Sequence, residues 1–475
     1  MSDFSDMLWT FDDYLWTIPF VLIIALGIYS TIRFKGIQFT NLREMCRITF
    51  SREKSEKEKV TPFQVFCISM GNRVGIGNIA GPVTAILTGG PGAVFWMWVF
   101  ASLGGATAFV ESTIGQLFKS RDHEGNCKGG PAYNISKGLG YKRLGIIVAF
   151  LMVLMYIVGY ISSEVAAMSE AFTGAFEFEH NTLVFSIFMT VIAAIIALGG
   201  FKRVAHVSSL VVPFMAIAWI LICMGIILFN YAHIGDAFVM IIKYAFSPPA
   251  FVGGLAGSLI VGLRRGVWSN EAGIGTITNV SSLAEVDHPA QQGMSQTLGV
   301  LMDTIICTMT AFVVLSFSGF DAATEIAEES MPYLQMIFKD ALGSIAPSLV
   351  FFFIFLFAIT CFMGDVVIGE NNLKFITESP YARYGMIALV LTVVFISCFW
   401  ASDTVFAVLD ILLALCGMIN AFVIFRLFGR AKEVYKDYKD QRKAGIEKPR
   451  FCSDSLSDKT GVTEWGASGK YNGNE

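Results

Sequence analysis

Residues 68–83 read ISMGNRVGIGNIAGPV, and they interrupt a hydrophobic segment that is otherwise long enough to cross a bilayer. The run holds four glycines, a proline, two asparagines and an arginine. Inside a helix a glycine costs about 1 kcal/mol relative to alanine, and a proline about 3 kcal/mol. A second run, GLRRGVWSNEAGIGT at 262–276, brings arginine, asparagine and a Gly-x-Gly step to the middle of another apolar segment. Lipid cannot satisfy bare peptide groups, so irregular backbone at membrane depth is tolerated only when buried in protein or turned toward a ligand. Two such interruptions in one chain therefore decide how the whole is read.

The remainder of the chain is built for a membrane. Of its 475 residues 54% are hydrophobic and only 15% charged, where soluble domains carry roughly 25% charged residues. Apolar runs of about 20 residues, the length that spans a hydrocarbon core as a helix, recur along almost the entire length. The expected fold class is an all-α polytopic membrane protein with eleven spans, near 14–34, 62–88, 92–118, 144–171, 181–200, 206–230, 251–281, 291–318, 345–376, 382–400 and 403–428. Residues 1–13 are acidic rather than basic, so no cleavable signal is expected there. The nine cysteines form no CxxC pair and read as free thiols used as small apolar residues.

Lysine and arginine set the expected orientation. Alternate connections and the C-terminal tail hold 29 of the 34 basic residues, three lie within spans (Arg73, Arg264, Arg265), and only Lys243 and Lys339 fall on the other side. The N-terminus is then outside and the C-terminus cytoplasmic, in a cell inner membrane. Trp9, Trp16, Trp96, Trp98 and Trp400 fall at the outer ends of spans, where indoles favour the interface. The polar tail reads as mobile.

Each interrupted span leads a set of five. Residues 62–230 form the first set and 251–428 the second, flanked by an N-terminal part at 1–61, a connection at 231–250 and a tail at 429–475. Five is odd, so the second set enters from the opposite side. This is an inverted-topology repeat, the layout of a secondary transporter. The half-helix starting near Asn78 would turn free N–H groups toward a carboxylate, and the carbonyls ending the preceding half would suit an ammonium group or Na⁺. The three arginines read as gate or interface residues reaching for water.

At these residues the sequence resembles the alanine or glycine:cation symporter family, sodium:amino-acid symporters of leucine-transporter-like architecture. The resemblance rests on GIGNIAG (75–81), GGPGAVFWMW (89–98), the Glu111 region, GGPAYNISKGLG (129–140), RGVWSNEAGIG (265–275), HPAQQG (288–293) and GENNLKF (369–375). It implies one leading helix, a five-plus-five core, and an amino acid and Na⁺ bound beside the two breaks. By resemblance, Gly75, Gly77 and Asn78 would meet the substrate carboxylate, while Trp268, Asn270 and Glu271 line the second break. The ion would use carbonyls near Gly71 and Val74 and the hydroxyl of Thr360.

The chain also departs from the family pattern. Ser163 stands where a Gln is usual, Cys361 replaces a hydroxyl, and Asp365 replaces an indole that would cap a small side chain. A pocket so altered points away from alanine or glycine, toward a larger, polar or cationic amino acid. A thiol is a poor ligand for a hard cation, which leaves H⁺ as an alternative coupling ion. Acidic residues within spans are functional by default, and Glu164, Glu271 and Asp365 are the candidates for ammonium or proton chemistry. Glu111, Asp303 and Glu370 read instead as partners for the span arginines. A channel would show charge rings or a filter repeat, and an enzyme would show a metal or nucleophile motif. Neither is present, and nothing points to a nucleic-acid partner. A non-transporting amino-acid sensor on the same scaffold is the other alternative.

Overall fold

The structure, a computed structural model, describes residues 2–51, 61–123, 125–246, 254–317, 330–400 and 402–466. Arg52, Lys54, Lys57 and Lys59 of the first basic connection, much of the two connections at 247–253 and 318–329, and tail residues 467–475 lie outside the described residues. The chain is helical almost throughout. Helix α1 covers Ser2–Arg33; the first interrupted span is α2 (Pro62–Arg73) and α3 (Ile76–Gly89); α4 covers Gly92–Leu117. Helix α5 (Lys142–Leu154) passes through a π-helical turn, Met155–Tyr160, into α6 (Ile161–Ala175). Then come α7 (Asn181–Ala197), α8 (Phe201–Phe229) and α9 (Ile234–Phe246). The second interrupted span is α10 (Gly254–Asn270) and α11 (Thr276–Ser281), followed by α12 (Pro289–Phe317) and α13 (Ser330–Leu342). The last three are α14 (Ala346–Ile376), α15 (Pro380–Ser397) and α16 (Ser402–Lys443). A small antiparallel hairpin, Ser120–Arg121 with Cys127–Lys128, sits in the α4–α5 connection.

Eight stretches of helix among the described residues are long and apolar enough to cross a membrane. Their outer faces suit lipid. On α8, Leu210, Phe214, Ile217 and Leu221 recur at helical spacing and are each more than half exposed. Such a stripe would be a liability in water but is ordinary contact with hydrocarbon. This is an integral, multi-pass membrane protein.

The interior is organised around α4, which packs mainly along α12 and α10, while α10 packs on α3 and α6 packs on α14. Small residues allow the close approach, since without a hydrophobic drive between helices van der Waals packing must hold them. A Cβ at Gly104 would lie 2.9 Å from the Ala272 Cβ, and one at Gly115 3.1 Å from the Thr278 Cβ.

The span arginines do not reach for water. Arg73 is fully buried and donates to the Gln296 carbonyl (3.2 Å) and to Gln296 Oε1 (2.8 Å). Arg264 pairs with Asp12 (3.2 Å) and Asp13 (2.8 Å), and Arg265 with the buried Asp410 (2.6 Å). Glu111, Asp303 and Glu370 are therefore not their ion-pair partners; Glu370 pairs with Lys374 and Arg383. Trp16 is also no interface anchor, being 2% exposed beneath the Arg264 guanidinium.

The polar tail is packed rather than mobile over its described part. Helix α16 runs through residue 429 without a break to Lys443, and the chain then folds back across the basic end of the bundle. The Phe451 amide donates to the Asp287 carbonyl (2.9 Å), and the buried Trp465 indole donates to the Gln116 carbonyl (3.0 Å). His288 sits in this joint against Asp437 (3.1 Å) and the rings of Tyr438 and Phe451. Burial pushes the His288 imidazole below its usual 6.5, with Asp437 opposing the shift. The folded joint thus binds a proton less readily than the unfolded chain, so its stability is full above pH 6.5 and declines as pH falls below it. Limited proteolysis within residues 444–466 is expected to quicken below pH 6.5 and to lose that pH dependence in His288→Asn.

Candidate functional site

Helix α2 begins with a capping box, Thr61 Oγ1 accepting from the Gln64 amide (3.1 Å) and Gln64 Oε1 from the Thr61 amide (3.0 Å), with Pro62 at the first helical position. It ends at Val74 (φ −79°, ψ 69°), and Gly75 (φ −118°, ψ −153°) is extended before α3 starts. The Gly75 N–H donates to the Arg73 carbonyl (2.9 Å) and to Asn78 Oδ1 (3.1 Å). Asn78 Nδ2 in turn donates to Asp303 Oδ1 (2.6 Å), whose other oxygen accepts from Ser269 Oγ (2.7 Å). This chain of bonds ties the first break to α12 and to the second interrupted helix. The two cross closely, and a Cβ at Gly77 would lie 3.3 Å from the Ser269 Cα.

The second break spans Glu271 to Gly275. Glu271, Gly273 and Gly275 take φ of 57°, 93° and 96°. For glycine this is permitted, but for glutamate it is a strained conformation that the surroundings must hold. Two freed amides are held by one carboxylate: Glu111 Oε1 accepts from Gly273 (3.1 Å) and Oε2 from Gly275 (3.2 Å). Asn420 Nδ2 completes the bracket, donating to Glu111 Oε2 (3.0 Å) and to the Gly273 carbonyl (2.9 Å).

Opposite the first break lies an acidic cluster. Asn72 Nδ2 donates to Asp365 Oδ1 (3.0 Å). The Cys361 thiol, which fills the space over Gly75, donates to the Gly71 carbonyl (2.9 Å). Glu164 lies on α6, which packs along α14, the helix of Cys361 and Asp365, and its charge and that of Glu271 are close enough to act on Asp365. All three carboxyl groups are buried, and each keeps one oxygen, Glu164 Oε2, Asp365 Oδ2 and Glu271 Oε1, without a donor. Tyr156 and Tyr160 stack at 5.3 Å on the π-helical turn, near enough to Glu271 for its charge to reach their phenols.

The structure thus sets Cys361 against Gly75, with Asp365 one turn along the same helix and Glu164 and Glu271 near enough for their charge to act on it. Ser163 is on the helix of Glu164, but its hydroxyl donates to the Tyr160 carbonyl (2.8 Å). Asn78 serves as the bracket just described. Trp268 lies apart, between Gly81, the Arg265 guanidinium and the Phe406 ring. Asn270 caps its own break, Oδ1 accepting from the Ala272 amide (2.9 Å). Gly71 abuts Thr360, whose hydroxyl donates to the Phe357 carbonyl (2.8 Å). Gly71, Val74 and Thr360 offer carbonyl and hydroxyl oxygens, the hard donors a sodium ion takes, although the thiol now occupies the Gly71 carbonyl. Sequence reasoning passed over Asn72, Tyr156, Tyr160 and Asn420. Tyr156 and Tyr160 carried a signal, two phenols four residues apart on a span that also holds Glu164.

A model of the sodium:alanine symporter family matches residues 1–453. The chain is 38% identical over 467 residues to the amino-acid carrier protein AlsT of Bacillus subtilis, covering 98% of both chains. It is 36% identical over 458 residues to the probable sodium/glutamine symporter GlnT of Bacillus subtilis, covering 96% of this chain and 94% of that one. It is 31% identical over 453 residues to the sodium/alanine symporter AgcS of Methanococcus maripaludis, covering 93% of this chain and 98% of that one.

Proposed function

The chain belongs to the sodium:alanine symporter family, and on that premise we propose that it is a secondary transporter that symports Na⁺ with a larger, polar or cationic amino acid. It is an amino-acid transporter and not an enzyme. The observation that carries the substrate reading is the pair Glu164 and Asp365, buried beside the unwound Gly75 with one free oxygen each. The amino acid would lie between the breaks. The first amides of α3, at Ile76 and Gly77, have no carbonyl within the helix and favour its carboxylate. Its polar or cationic side chain would meet the acidic pair. Na⁺ is a co-substrate, held by oxygens of Gly71, Val74 and Thr360 once Thr360 turns from its own helix.

Transport would follow from rocking one five-span set against the other around this site, in an eleven-span inverted repeat. Counting α7 and the two interrupted spans with the eight long stretches supports that number. An N-terminus outside and a C-terminus in the cytoplasm accord with the basic connections. A cavity of about 470 Å³, lined by Lys128, Leu283, Val367 and Lys374 among others, opens among the basic connections and supports an exit on that side.

The test is uptake into proteoliposomes across a panel of radiolabelled amino acids, with the outside Na⁺ replaced by choline. Concentrative uptake of at least one polar or cationic amino acid is expected with Na⁺, and its loss with choline. Uptake that persists in choline and follows an imposed pH gradient would transfer the coupling to H⁺.

A further inference from the structure

Resting on the transport reading above, we propose that residues 450–466 are a brake on transport. They form a strap that joins the two five-span sets at the basic end of the bundle and lets go each time that end opens.

Both sets supply the strap's footing. On the side of the first set, the Trp465 indole donates to the Gln116 carbonyl at the end of α4 (3.0 Å), and its ring lies 4.9 Å from the Lys119 ammonium. Arg121 Nε donates to Glu464 (3.1 Å), and Lys137 Nζ to the Thr463 hydroxyl (2.7 Å). On the side of the second set, the Phe451 amide donates to the Asp287 carbonyl between α11 and α12 (2.9 Å). From α16, the helix that ends that set, Glu433 accepts from the Ser457 amide (2.9 Å) and Arg430 donates to the Thr460 carbonyl (2.6 Å). The buried rings of Phe451 and Trp465 meet edge-on at 5.5 Å, so the two footings make one joint. Gly461 sets how closely the strap lies. With φ at 78° and a Cβ that would fall 2.0 Å from the Lys137 carbonyl, only glycine fits there.

The strap covers bonds that already run between the sets. Gln116 Nε2 donates to the Ser281 and Ala284 carbonyls at and beyond the end of α11, and Lys119 Nζ donates to the Ala284 carbonyl (3.0 Å). Arg121, held by Glu464, also pairs with Glu285 (2.5 Å). Glu285 accepts in turn from the thiol of Cys127 (3.3 Å), a residue on the wall of the cavity of about 470 Å³. Rocking the sets apart at this end breaks these bonds and the strap's together, because the strap is bonded to both. It also exposes two large aromatic rings to water. Each contact the strap adds to the closed end therefore lowers the population of the open one.

The experiment compares full-length wild type with Gly461→Val and Trp465→Ala in proteoliposomes at equal protein, following initial uptake of the amino acid that the wild type transports best. Uptake is expected to rise by about three- to tenfold in both variants with KM nearly unchanged, the scale of a contact or two lost from the closed end. Labelling of Cys127 by a maleimide, read residue by residue by mass spectrometry, should quicken with it, since that thiol is buried while the end is closed. A short bismaleimide bridge between Thr463→Cys and Lys137→Cys should instead arrest uptake. Where Trp465→Ala purifies poorly, Gly461→Val, which removes no side chain, carries the test. Uptake that is unchanged or lower in the variants, or that continues at full rate across the bridge, overturns the brake and leaves transport standing. A melting temperature that falls together with uptake makes the segment a structural cap instead. No uptake of any amino acid by wild type or variants overturns the transport reading and the brake together.

Discussion

Glu111→Ala is expected to lower amino-acid uptake by about a hundredfold or more in protein that still inserts and purifies as a single species. Its carboxylate is the acceptor for two amides of the second break, Gly273 and Gly275, at a buried position that water does not reach. Hydrogen bonds to a charged group contribute about 1.5–3 kcal/mol each, and a buried donor left without an acceptor costs about 1–3 kcal/mol. Losing two together is roughly 3 kcal/mol at the least, and each 1.4 kcal/mol is about tenfold in the population of a competent break. Glu111→Gln keeps one accepting oxygen but turns an NH₂ toward the other amide, so an intermediate loss of about tenfold is expected. Transport rates with a fixed amount of reconstituted protein, beside size-exclusion profiles of each variant, check this. Uptake by the alanine variant within a few-fold of the wild type would mean that the break holds its shape without the carboxylate.

That role was invisible in the sequence for a physical reason. A glutamate in a span announces that it needs a partner, and the nearest conspicuous partners are arginines. Its actual partners are peptide N–H groups, which no letter of the sequence records. The breaks themselves were legible, because glycine, proline and asparagine act on the backbone where they stand. The pairing of charges was not, since Arg264 finds Asp13 across 251 positions and Arg265 finds Asp410 across 145. Asp12 and Asp13 counted in the sequence only toward an acidic N-terminus, and they meet an arginine of the second interrupted helix. The tail misled in the opposite direction. Its polarity suggested motion, while Phe451 and Trp465, two large rings in a polar stretch, were the sign that part of it has somewhere to dock. The convergence of Glu164 with Asp365 needed the structure as well, although each was singled out by its own expense in a membrane.

Asp365→Trp is expected to move the preference of the transporter from cationic or polar amino acids toward alanine and glycine, by about a hundredfold in the ratio of competing substrates. Two effects act in the same direction. The carboxylate that would receive a cationic side chain is lost, and a buried charge-assisted contact of this kind carries about 1.5–3 kcal/mol. The indole also fills the volume that a long side chain would occupy, and a hydrophobic cap discriminates among small side chains by about 1–3 kcal/mol. Asp365→Asn separates the two, since it removes the charge and leaves the volume nearly as it was. It should lose the preference for cationic side chains without gaining one for alanine. The bond from Asn72 can persist in the asparagine variant, because its amide oxygen still accepts, whereas the tryptophan variant leaves the Asn72 amide to find another partner. Some loss of total rate is therefore expected in Asp365→Trp, and the ratio of substrates rather than the rate is the quantity to read. Competition uptake with equal concentrations of lysine, glutamine and alanine measures it directly. If that ratio is the same in wild type and both variants, residue 365 does not choose the substrate, and selection must lie with Glu164 or Glu271 instead.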